Sequence, residues 1–129
     1  YRSDLSRTFC IGPPDNRFQE VYKTVLKAQL AAEESIRPHM TGAEVDSIAR
    51  EHIESAGYGK YFGHGLGHGV GLAIHERPRV VPRSNDVLED GMIFTIEPGI
   101  YIPNWGGVRI EDVVVIERGG ATVLSKSPK

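Results

Sequence analysis

The sequence predicts an α+β fold, and three observations lead to that prediction. Apolar residues recur at helical spacing within residues 16–37 and again within residues 41–57. The rest of the chain alternates short apolar runs with Gly and Pro, which is typical of antiparallel strands and turns. The length of 129 residues, with 40% hydrophobic and 25% charged residues, corresponds to one globular domain or part of a larger one.

The first two elements are a predicted strand and a predicted helix. Residues Ser3–Ile11 mix Leu, Thr, Phe and Ile and are followed by the turn signal Gly-Pro-Pro, so we expect a strand there. From Asn16 to Arg37 apolar side chains return every three or four residues until Pro38 ends the pattern. This spacing predicts a long helix.

A second helix is predicted from its capping signal. Thr41 and Glu44 form the pattern Thr-x-x-Glu, in which each side chain bonds the backbone N–H of the other residue. Gly57 is the expected stop signal. The predicted buried stripe consists of Val45, Ile48, Ala49, His52 and Ile53. On this pattern His52 is expected to be a core histidine.

The remaining strands are predicted from short apolar runs. The stretch GHGLGHGVG, residues 63–71, places glycine at every odd position. If it is a strand, one of its faces is bare and lets another backbone or a ligand approach closely. The other predicted strands lie at MIFTIE (92–97), GIYI (99–102), GGVRIEDVVVI (106–116) and ATVL (121–124).

Two histidines in the glycine-rich stretch are candidates for chemistry. On an extended strand His64 and His68 would lie about 13 Å apart, at roughly 3.3 Å per residue. That separation prevents both from binding one ion, or both ions of a dinuclear site, whose metals lie about 3.5–4 Å apart. We therefore expect one histidine to be a ligand and the other to support the site or face the substrate.

Carboxylates occur where strands end or where a polar residue interrupts an apolar strand. Glu97 closes a predicted strand, while Glu111 and Asp112 interrupt another, and periodicity does not decide which of these two faces inward. Asp4, near Arg7, fits a surface strand equally well. One imidazole with several carboxylates suits Mn²⁺, Co²⁺ or Fe²⁺, with Zn²⁺ as an alternative.

Composition argues against several functional classes. The formal net charge is −2 and no cluster of Lys and Arg forms a nucleic-acid footprint. The longest apolar runs are far too short to span a bilayer, so we expect no membrane partner. The single cysteine, Cys10, fits a reducing compartment and predicts a cytoplasmic protein. No signature of a cysteine nucleophile surrounds it, so Cys10 is expected to be a small buried side chain.

Four motifs in order carry a resemblance to a known family. They are SDLSRTF, HGLGHGVGLAIHERP, GMIFTIEPGIY and GGVRIEDVVV, and together they cover nearly the whole chain. In this arrangement the sequence resembles the pita-bread metallopeptidases, and within them the Xaa-Pro aminopeptidases and Xaa-Pro dipeptidases (prolidases). The resemblance implies the pita-bread fold, here as one strand, two helices and a curved antiparallel sheet.

The resemblance also implies a ligand set for two divalent metal ions, Mn²⁺ or Co²⁺ in the first place and Zn²⁺ or Fe²⁺ as alternatives. The family uses two aspartates, one histidine and two glutamates. Carried over by motif, the metal ligands are Asp4 (matching the second aspartate), His68, Glu97 and Glu111.

The implied function is an exopeptidase that hydrolyses the bond before proline with a metal-activated water. Glu97 would act as general base, and His75 would stabilise the oxyanion. His64 would contact the substrate, and Arg109 would orient Glu111 or balance negative charge. The implied partners are a peptide with proline at its second position and a second copy of the chain in a homodimer.

Three alternatives remain at this stage. A methionine aminopeptidase shares fold and metals, but its last motif characteristically pairs the glutamate with a histidine, whereas Asp112 follows Glu111 here. A metal-free pita-bread scaffold would have no use for the carboxylates. Other catalytic motifs fail: His75-Glu76 lacks the second histidine of H-E-x-x-H, G-x-S-x-G is absent, and His68 stands where G-x-G-x-x-G requires glycine.

The resemblance also carries an expectation about domain organisation. Residues 1–129 would be the C-terminal portion of the catalytic domain, with its first half upstream, and the first aspartate ligand would lie about ten residues before Asp4 on an antiparallel partner strand. We therefore expect the isolated chain to bind at most about one ion, to self-associate through an unpaired edge and to be a poor peptidase.

Overall fold

Two helices follow an extended N-terminal segment in the computed structural model, which describes all residues, 1–129. Helix α1 spans Asn16–Ser35, and the side chain of Asp15 caps it by accepting from the backbone N–H of Phe18. The helix ends two residues before the predicted Arg37, because the residue preceding Pro38 is disfavoured in helical conformation.

Helix α2 spans Gly42–Ser55 and begins with the predicted capping box. The hydroxyl of Thr41 accepts from the N–H of Glu44, and the carboxylate of Glu44 accepts from the N–H of Thr41 at 2.6 Å. Gly57 follows the helix with a φ of +85°, a conformation that glycine adopts without strain.

The expectation that His52 is a core histidine is wrong. Val45, Ala49 and Ile53 form a narrow buried row four residues apart, and His52 lies beside that row with its side chain exposed. Its Nδ1 atom lies 3.0 Å from the carbonyl oxygen of Ile48, within the same helix. The spacing of apolar residues therefore predicted the buried face of α2 correctly but wrongly included His52 in it.

Seven short strands follow the helices and the 3₁₀ turn Gly59–Tyr61. They are β1 Gly67–Gly69, β2 Glu76–Val80, β3 Ile93–Ile96, β4 Gly99–Ile102, β5 Gly106–Arg109, β6 Asp112–Glu117 and β7 Gly120–Val123. Five of them form one antiparallel sheet in the order β2-β1-β3-β6-β7, and β4 pairs with β5 in a separate hairpin. Strand β2 was not predicted.

The predicted strand Ser3–Ile11 does not form. Only Ser6 makes a β-bridge, to Glu111. Two residues later, the Thr8 hydroxyl makes the hydrogen bonds that a paired strand's backbone would make. It donates to the Arg109 carbonyl and accepts from the Arg109 N–H. The end of the segment is exposed at Phe9, Cys10 and Ile11, which corrects the expectation of a buried thiol.

Two other predicted strands are shorter than expected. In the stretch 63–71 only Gly67–Gly69 is a strand, and its pairing with β2 shifts register between His68 and Gly69. The stretch 106–116 is two strands rather than one, because the chain leaves β5 after Arg109 and enters β6 at Asp112. The residues between the two strands take no part in a regular strand pairing. The direction of the Glu111 side chain is therefore not fixed by the alternation of side chains between the two faces of a strand.

The core lies between the helices and the inner face of the sheet. Helix α1 packs on α2 and also contacts strands β3, β4, β5 and β7. Twenty buried apolar residues form one continuous cluster, with Phe94, Ile96, Ile100, Ile110 and Ile116 among its largest members. Neither helix has the length and apolar character that crossing a membrane requires.

Candidate metal centre

The bare backbone of the glycine-rich stretch allows β1 to lie unusually close to its neighbours. A Cβ on Gly67 would overlap the carbonyl oxygen of Thr95 on β3, and a Cβ on Gly69 would overlap the carbonyl oxygen of Arg77 on β2. Glycine is therefore required on both sides of His68, and the close packing fixes the backbone of that histidine.

Three of the sequence-predicted ligands meet at this point. One donor atom each from Asp4, His68 and Glu111 lie within 4.8 Å of one another. The Nε2 atom of His68 is 3.7 Å from Oδ2 of Asp4. These side chains come from the N-terminal segment, from β1 and from the break between β5 and β6, so only the tertiary structure brings them together.

The imidazole of His68 is oriented for binding through Nε2. Its Nδ1 atom lies 3.1 Å from the carbonyl oxygen of Gly69, which can only accept a hydrogen bond. When the ring is neutral, its proton is therefore on Nδ1, which leaves Nε2 to bind a cation held by the carboxylates. A backbone carbonyl in this role is a usual way of fixing the tautomer of a metal-binding histidine.

Glu97 stands beside the three-residue cluster. Its Oε1 atom is 3.1 Å from Nε2 of His68. The buried hydroxyl of Thr95 donates to the same Oε1 at 2.9 Å and accepts from the backbone N–H of His68 at 3.0 Å. Thr95 thus fixes the position of the Glu97 carboxylate relative to the backbone of His68.

The ambiguity between Glu111 and Asp112 is resolved by the structure. Glu111 faces Asp4 and His68, and its side chain is almost completely buried. Burial raises the pKa of Glu111 to about 7, with the negative charges of Glu97 and Asp4 adding to the effect and a hydrogen bond from the Ser6 hydroxyl opposing it. A cluster of carboxylates that resists ionisation on its own is suited to a bound cation.

Asp112 points in the opposite direction and has a structural environment. Its Oδ1 lies 2.8 Å from the guanidinium of Arg7, and its Oδ2 lies 2.7 Å from Nζ of Lys129. Burial pushes the pKa of Asp112 up, but Lys129 and Arg7 outweigh it and leave the pKa below its ordinary value. Arg7 also donates to the carbonyl oxygen of Glu111 at 2.6 Å, so this pair supports the backbone of the site.

His64 and Arg109 are linked through Tyr101. The Nδ1 atom of His64 lies 2.7 Å from the Gly65 carbonyl oxygen, so Nε2 accepts from the Tyr101 hydroxyl at 2.8 Å. Arg109 donates to that same hydroxyl oxygen at 3.3 Å and to the Ser6 hydroxyl at 3.2 Å. Arg109 therefore reaches Glu111 only through Ser6, not directly.

A cavity of about 410 Å³ opens over these residues, a size suited to a small ligand. The ring of His75 lies on its wall, 4.0 Å from the ring of His68 between centroids. The lining residues are His64, Gly65, Gly67, His68, His75, Glu76, Arg79, Val81, Glu97 and Arg109. All four sequence-predicted catalytic side chains thus line one cavity.

The donor set fits a divalent cation. Asp4 and Glu111 supply carboxylate oxygens and His68 supplies a ring nitrogen within a few ångströms of one another, with Glu97 adjacent. Oxygen-rich sets with one imidazole bind Mn²⁺, Co²⁺, Fe²⁺ and Zn²⁺. The other aspartate of the implied ligand set has no counterpart in this cluster.

Sequence reasoning missed three hydroxyl side chains that support the site. They are Ser6, which bonds Glu111, Thr95, which bonds Glu97, and Tyr101, which bonds His64. Alternation along β3 would have placed Thr95 on the same face as Glu97. No local signal could have identified Tyr101, because its partner His64 is distant in sequence.

Comparison with known proteins finds relatives that match the whole chain. The Xaa-Pro dipeptidase of Pyrococcus furiosus is 54% identical over 129 residues, which is 100% of this chain and 37% of that protein. The solved prolidase from Pyrococcus furiosus superposes with a TM-score of 0.97 at 54% identity, over 98% of this chain and 38% of its own.

A more distant structure supports the same architecture. The X-prolyl aminopeptidase from Caenorhabditis elegans, described as a cytosolic enzyme with a di-nuclear active site, has a TM-score of 0.81 at 28% identity, covering 92% of this chain and 21% of its own. The fold is therefore the pita-bread fold of the prolidases, and this chain spans 37% of the length of the curated dipeptidase it matches. Since its sequence also matches the family over residues 1–118, the chain belongs to metallopeptidase family M24.

Proposed function

We propose that this chain provides the metal-binding part of an exopeptidase that hydrolyses the peptide bond before proline. The observation that carries the proposal is the meeting of Asp4, His68 and Glu111, because His68 of this cluster also lines a cavity together with Glu97. Relatives with 54% and 52% identity over the whole chain are named Xaa-Pro dipeptidases, which supports proline as the residue after the cleaved bond.

The proposed metal ligands are Asp4, His68, Glu97 and Glu111, and the proposed cofactor is a pair of divalent ions, Mn²⁺ or Co²⁺ before Zn²⁺ or Fe²⁺. Such ions, when bound, acidify a coordinated water so that hydroxide is available near neutral pH. The name of the Caenorhabditis elegans relative includes a di-nuclear site, which supports the number of ions.

In this proposal Glu97 removes the proton of the attacking water. Its carboxylate borders the cavity and is held by the Thr95 hydroxyl, so one oxygen is fixed while the other is available to a proton. His75 lies on the same wall beside His68 and can donate to the oxygen of the tetrahedral species.

His64 and Arg109 act on the substrate side. The hydrogen-bond chain from Arg109 through Tyr101 to His64 fixes the imidazole, whose ring also packs edge-on against Phe62. The guanidinium of Arg109 adds positive charge next to the carboxylates, and we propose that it positions either the peptide or, through Ser6, Glu111.

A peptide panel tests the proposal. The protein at its full natural length is given Xaa-Pro, Xaa-Pro-Yaa and Met-Ala-Ser peptides, first with Mn²⁺ and then with Co²⁺. We expect metal-dependent release of the residue before proline and no cleavage of the Met peptide. Preferential cleavage of Met-Ala-Ser would instead identify a methionine aminopeptidase, and metal binding without any hydrolysis would favour a binding scaffold. Comparison of the first two peptides separates dipeptidase from aminopeptidase activity.

We also propose a homodimer in the cytoplasm. Exposed apolar side chains, among them Phe9, Ile11 and Leu72, offer surface for a second copy. The exposed thiol of Cys10 is compatible with a reducing compartment. Light scattering at several protein concentrations tests the dimer, and fractionation of the source cells tests the location.

A further inference from the structure

One buried polar side chain has no place in the proposed chemistry. Gln29 lies in the middle of α1 and is completely buried. Its Nε2 atom donates to the carbonyl oxygen of Ile96 at 3.2 Å and to that of Ile110 at 3.1 Å, and Oδ2 of Asp112 lies 3.3 Å away. Three oxygens around one nitrogen fix the orientation of the amide, since its own oxygen would be repelled there.

The two carbonyls belong to the residues that immediately precede the two glutamates of the site. Ile96 directly precedes Glu97, and Ile110 directly precedes Glu111. The ladder between β3 and β6 ends at the pair formed by Ile96 and Asp112. No backbone N–H donates to the Ile110 carbonyl, so the amide of Gln29 is its donor. A single side chain therefore joins the two backbones just before each carries its carboxylate into the site.

The amide of Gln29 also carries a cost. The Oε1 atom of Gln29 is buried without a hydrogen-bond partner, which costs stability. The surrounding cluster is apolar, with Val25 and Ala28 on the same helix and Ile96 and Ile110 opposite. An apolar side chain of similar size would avoid that cost, but it would leave the buried carbonyl oxygen of Ile110 without a donor. The specific contribution of the amide is therefore its hydrogen bonds to the backbone next to the two glutamates.

We propose that Gln29 is a positioning residue that sets the separation of Glu97 and Glu111 for metal binding. The inference rests on the proposed function, because it takes both carboxylates to be ligands. By bonding both preceding carbonyls, the amide joins the end of β3, where its ladder with β6 stops, to the segment that leads into β6. Supports of this kind around metal ligands change affinity by about 10- to 100-fold when removed.

The test compares Gln29→Met with Val25→Ala. Methionine keeps the length of the side chain and removes the amide, whereas Val25→Ala weakens the same helix one turn earlier without touching either carbonyl. Both variants are made in the protein at its full natural length, and their metal-free thermal stabilities are measured first. Co²⁺ is then titrated, and its visible absorption reports both affinity and coordination geometry.

We expect Gln29→Met to lower Co²⁺ affinity by about 10- to 100-fold and to alter the visible spectrum. Val25→Ala should leave the spectrum unchanged even if it unfolds at a lower temperature. If Gln29→Met binds Co²⁺ with wild-type affinity and spectrum, or if both variants lose affinity only in proportion to lost stability, the proposal is overturned.

The same titration separates this proposal from the proposed function. A wild-type protein that binds Co²⁺ but cleaves no Xaa-Pro peptide refutes the function, while the effect of Gln29→Met on affinity and spectrum still decides the positioning role. A wild-type protein that does not bind Co²⁺ refutes both.

Discussion

Ser6 and Glu111 are joined by two hydrogen bonds, one donated by each residue to the other. The Ser6 hydroxyl donates to the Glu111 carboxylate, and the Glu111 N–H donates to the Ser6 carbonyl oxygen at 3.0 Å. This pairing carries Asp4, two residues earlier, to the site. The N-terminal segment therefore reaches the candidate metal centre through one β-bridge and side-chain hydrogen bonds rather than through a strand.

The first prediction concerns the hydrogen bond from the Ser6 hydroxyl to the Glu111 carboxylate. Ser6→Ala removes a donor that lowers the pKa of Glu111, so the pKa should rise further above about 7. At pH 7 a larger fraction of the Glu111 carboxyl groups would then be protonated, and a metal ion must displace that proton to bind. The affinity for Mn²⁺ at pH 7 should therefore fall by about tenfold. Calorimetric titration at pH 7 and pH 8.5 should show a smaller deficit at the higher pH, where the carboxyl is ionised in both proteins. Ser3→Ala, at an exposed position, is the control, and an equal deficit at both pH values would contradict the electrostatic explanation.

The second prediction concerns the proposed base. Glu97→Gln should reduce Xaa-Pro hydrolysis by at least about 100-fold, because it removes an anionic ligand and the proton acceptor together. Folding should be preserved, since the amide oxygen can still accept from the Thr95 hydroxyl. Steady-state kinetics in metal-replete buffer measures the loss, with Glu89→Gln on the surface as the matched variant. Substantial residual turnover would refute the assignment of Glu97.

The third prediction concerns Arg109. Arg109→Ala removes its contacts with Tyr101 and Ser6, so turnover should fall by about tenfold or more while the unfolding temperature changes little. Arg109→Lys should rescue only in part, because an ammonium group keeps the charge but not the planar fork. If the alanine variant unfolds while its folded fraction retains full activity, the role of Arg109 is structural.

The fourth prediction concerns the bare face of β1. Gly67→Ala should lower the free energy of unfolding by about 1–3 kcal/mol, because the new methyl group would overlap the Thr95 carbonyl oxygen. Gly63→Ala is the matched control, since a Cβ there meets nothing within 4 Å. Urea denaturation of both variants measures the difference. Equal stabilities would mean that β1 can move away from β3 without cost.

The fifth prediction concerns pH and a carboxyl outside the site. Burial raises the pKa of Glu33 from an ordinary 4.5 to about 7, against the opposing effect of Lys129. Between these values the unfolded chain loses a proton that the folded chain keeps, so this group makes stability fall as pH rises, by at most about 1.4 kcal/mol per unit. Above about pH 7 the effect is constant.

Glu33→Gln removes this titration, so the variant should gain stability relative to the wild type between about pH 5 and pH 7. Urea denaturation in the presence of a chelator measures the difference, and Glu34→Gln at the exposed neighbouring position should show no such trend. Parallel stability curves for wild type and Glu33→Gln would mean that Lys129 keeps Glu33 ionised throughout.

The sequence alone determined the features that depend on neighbours along the chain. Helix α2 could be predicted because its capping box and terminal glycine are local signals, and α1 because its apolar period and Pro38 are local too. Four spaced motifs were sufficient for the family and for the pita-bread fold. They also singled out Asp4, His68 and Glu111, which the structure brings within bonding reach of one ion.

The tertiary structure decided what depends on contacts between distant segments. Alternation could not choose between Glu111 and Asp112, because the strand breaks just before them and the side chains are sorted by Asp4 and His68 on one side and Arg7 and Lys129 on the other.

Tertiary packing also decided which side chains are exposed. His52 lies beside a buried row rather than within it, and Cys10 lies beyond the last contacts of a segment that forms no strand, so periodicity and composition misplaced both. The clamp made by Gln29 depends on two carbonyls 67 and 81 residues away along the chain, a relation that no local pattern encodes. Local signals select helices, turns and residue types, whereas the position of a side chain relative to a site is set by whichever distant elements pack against it.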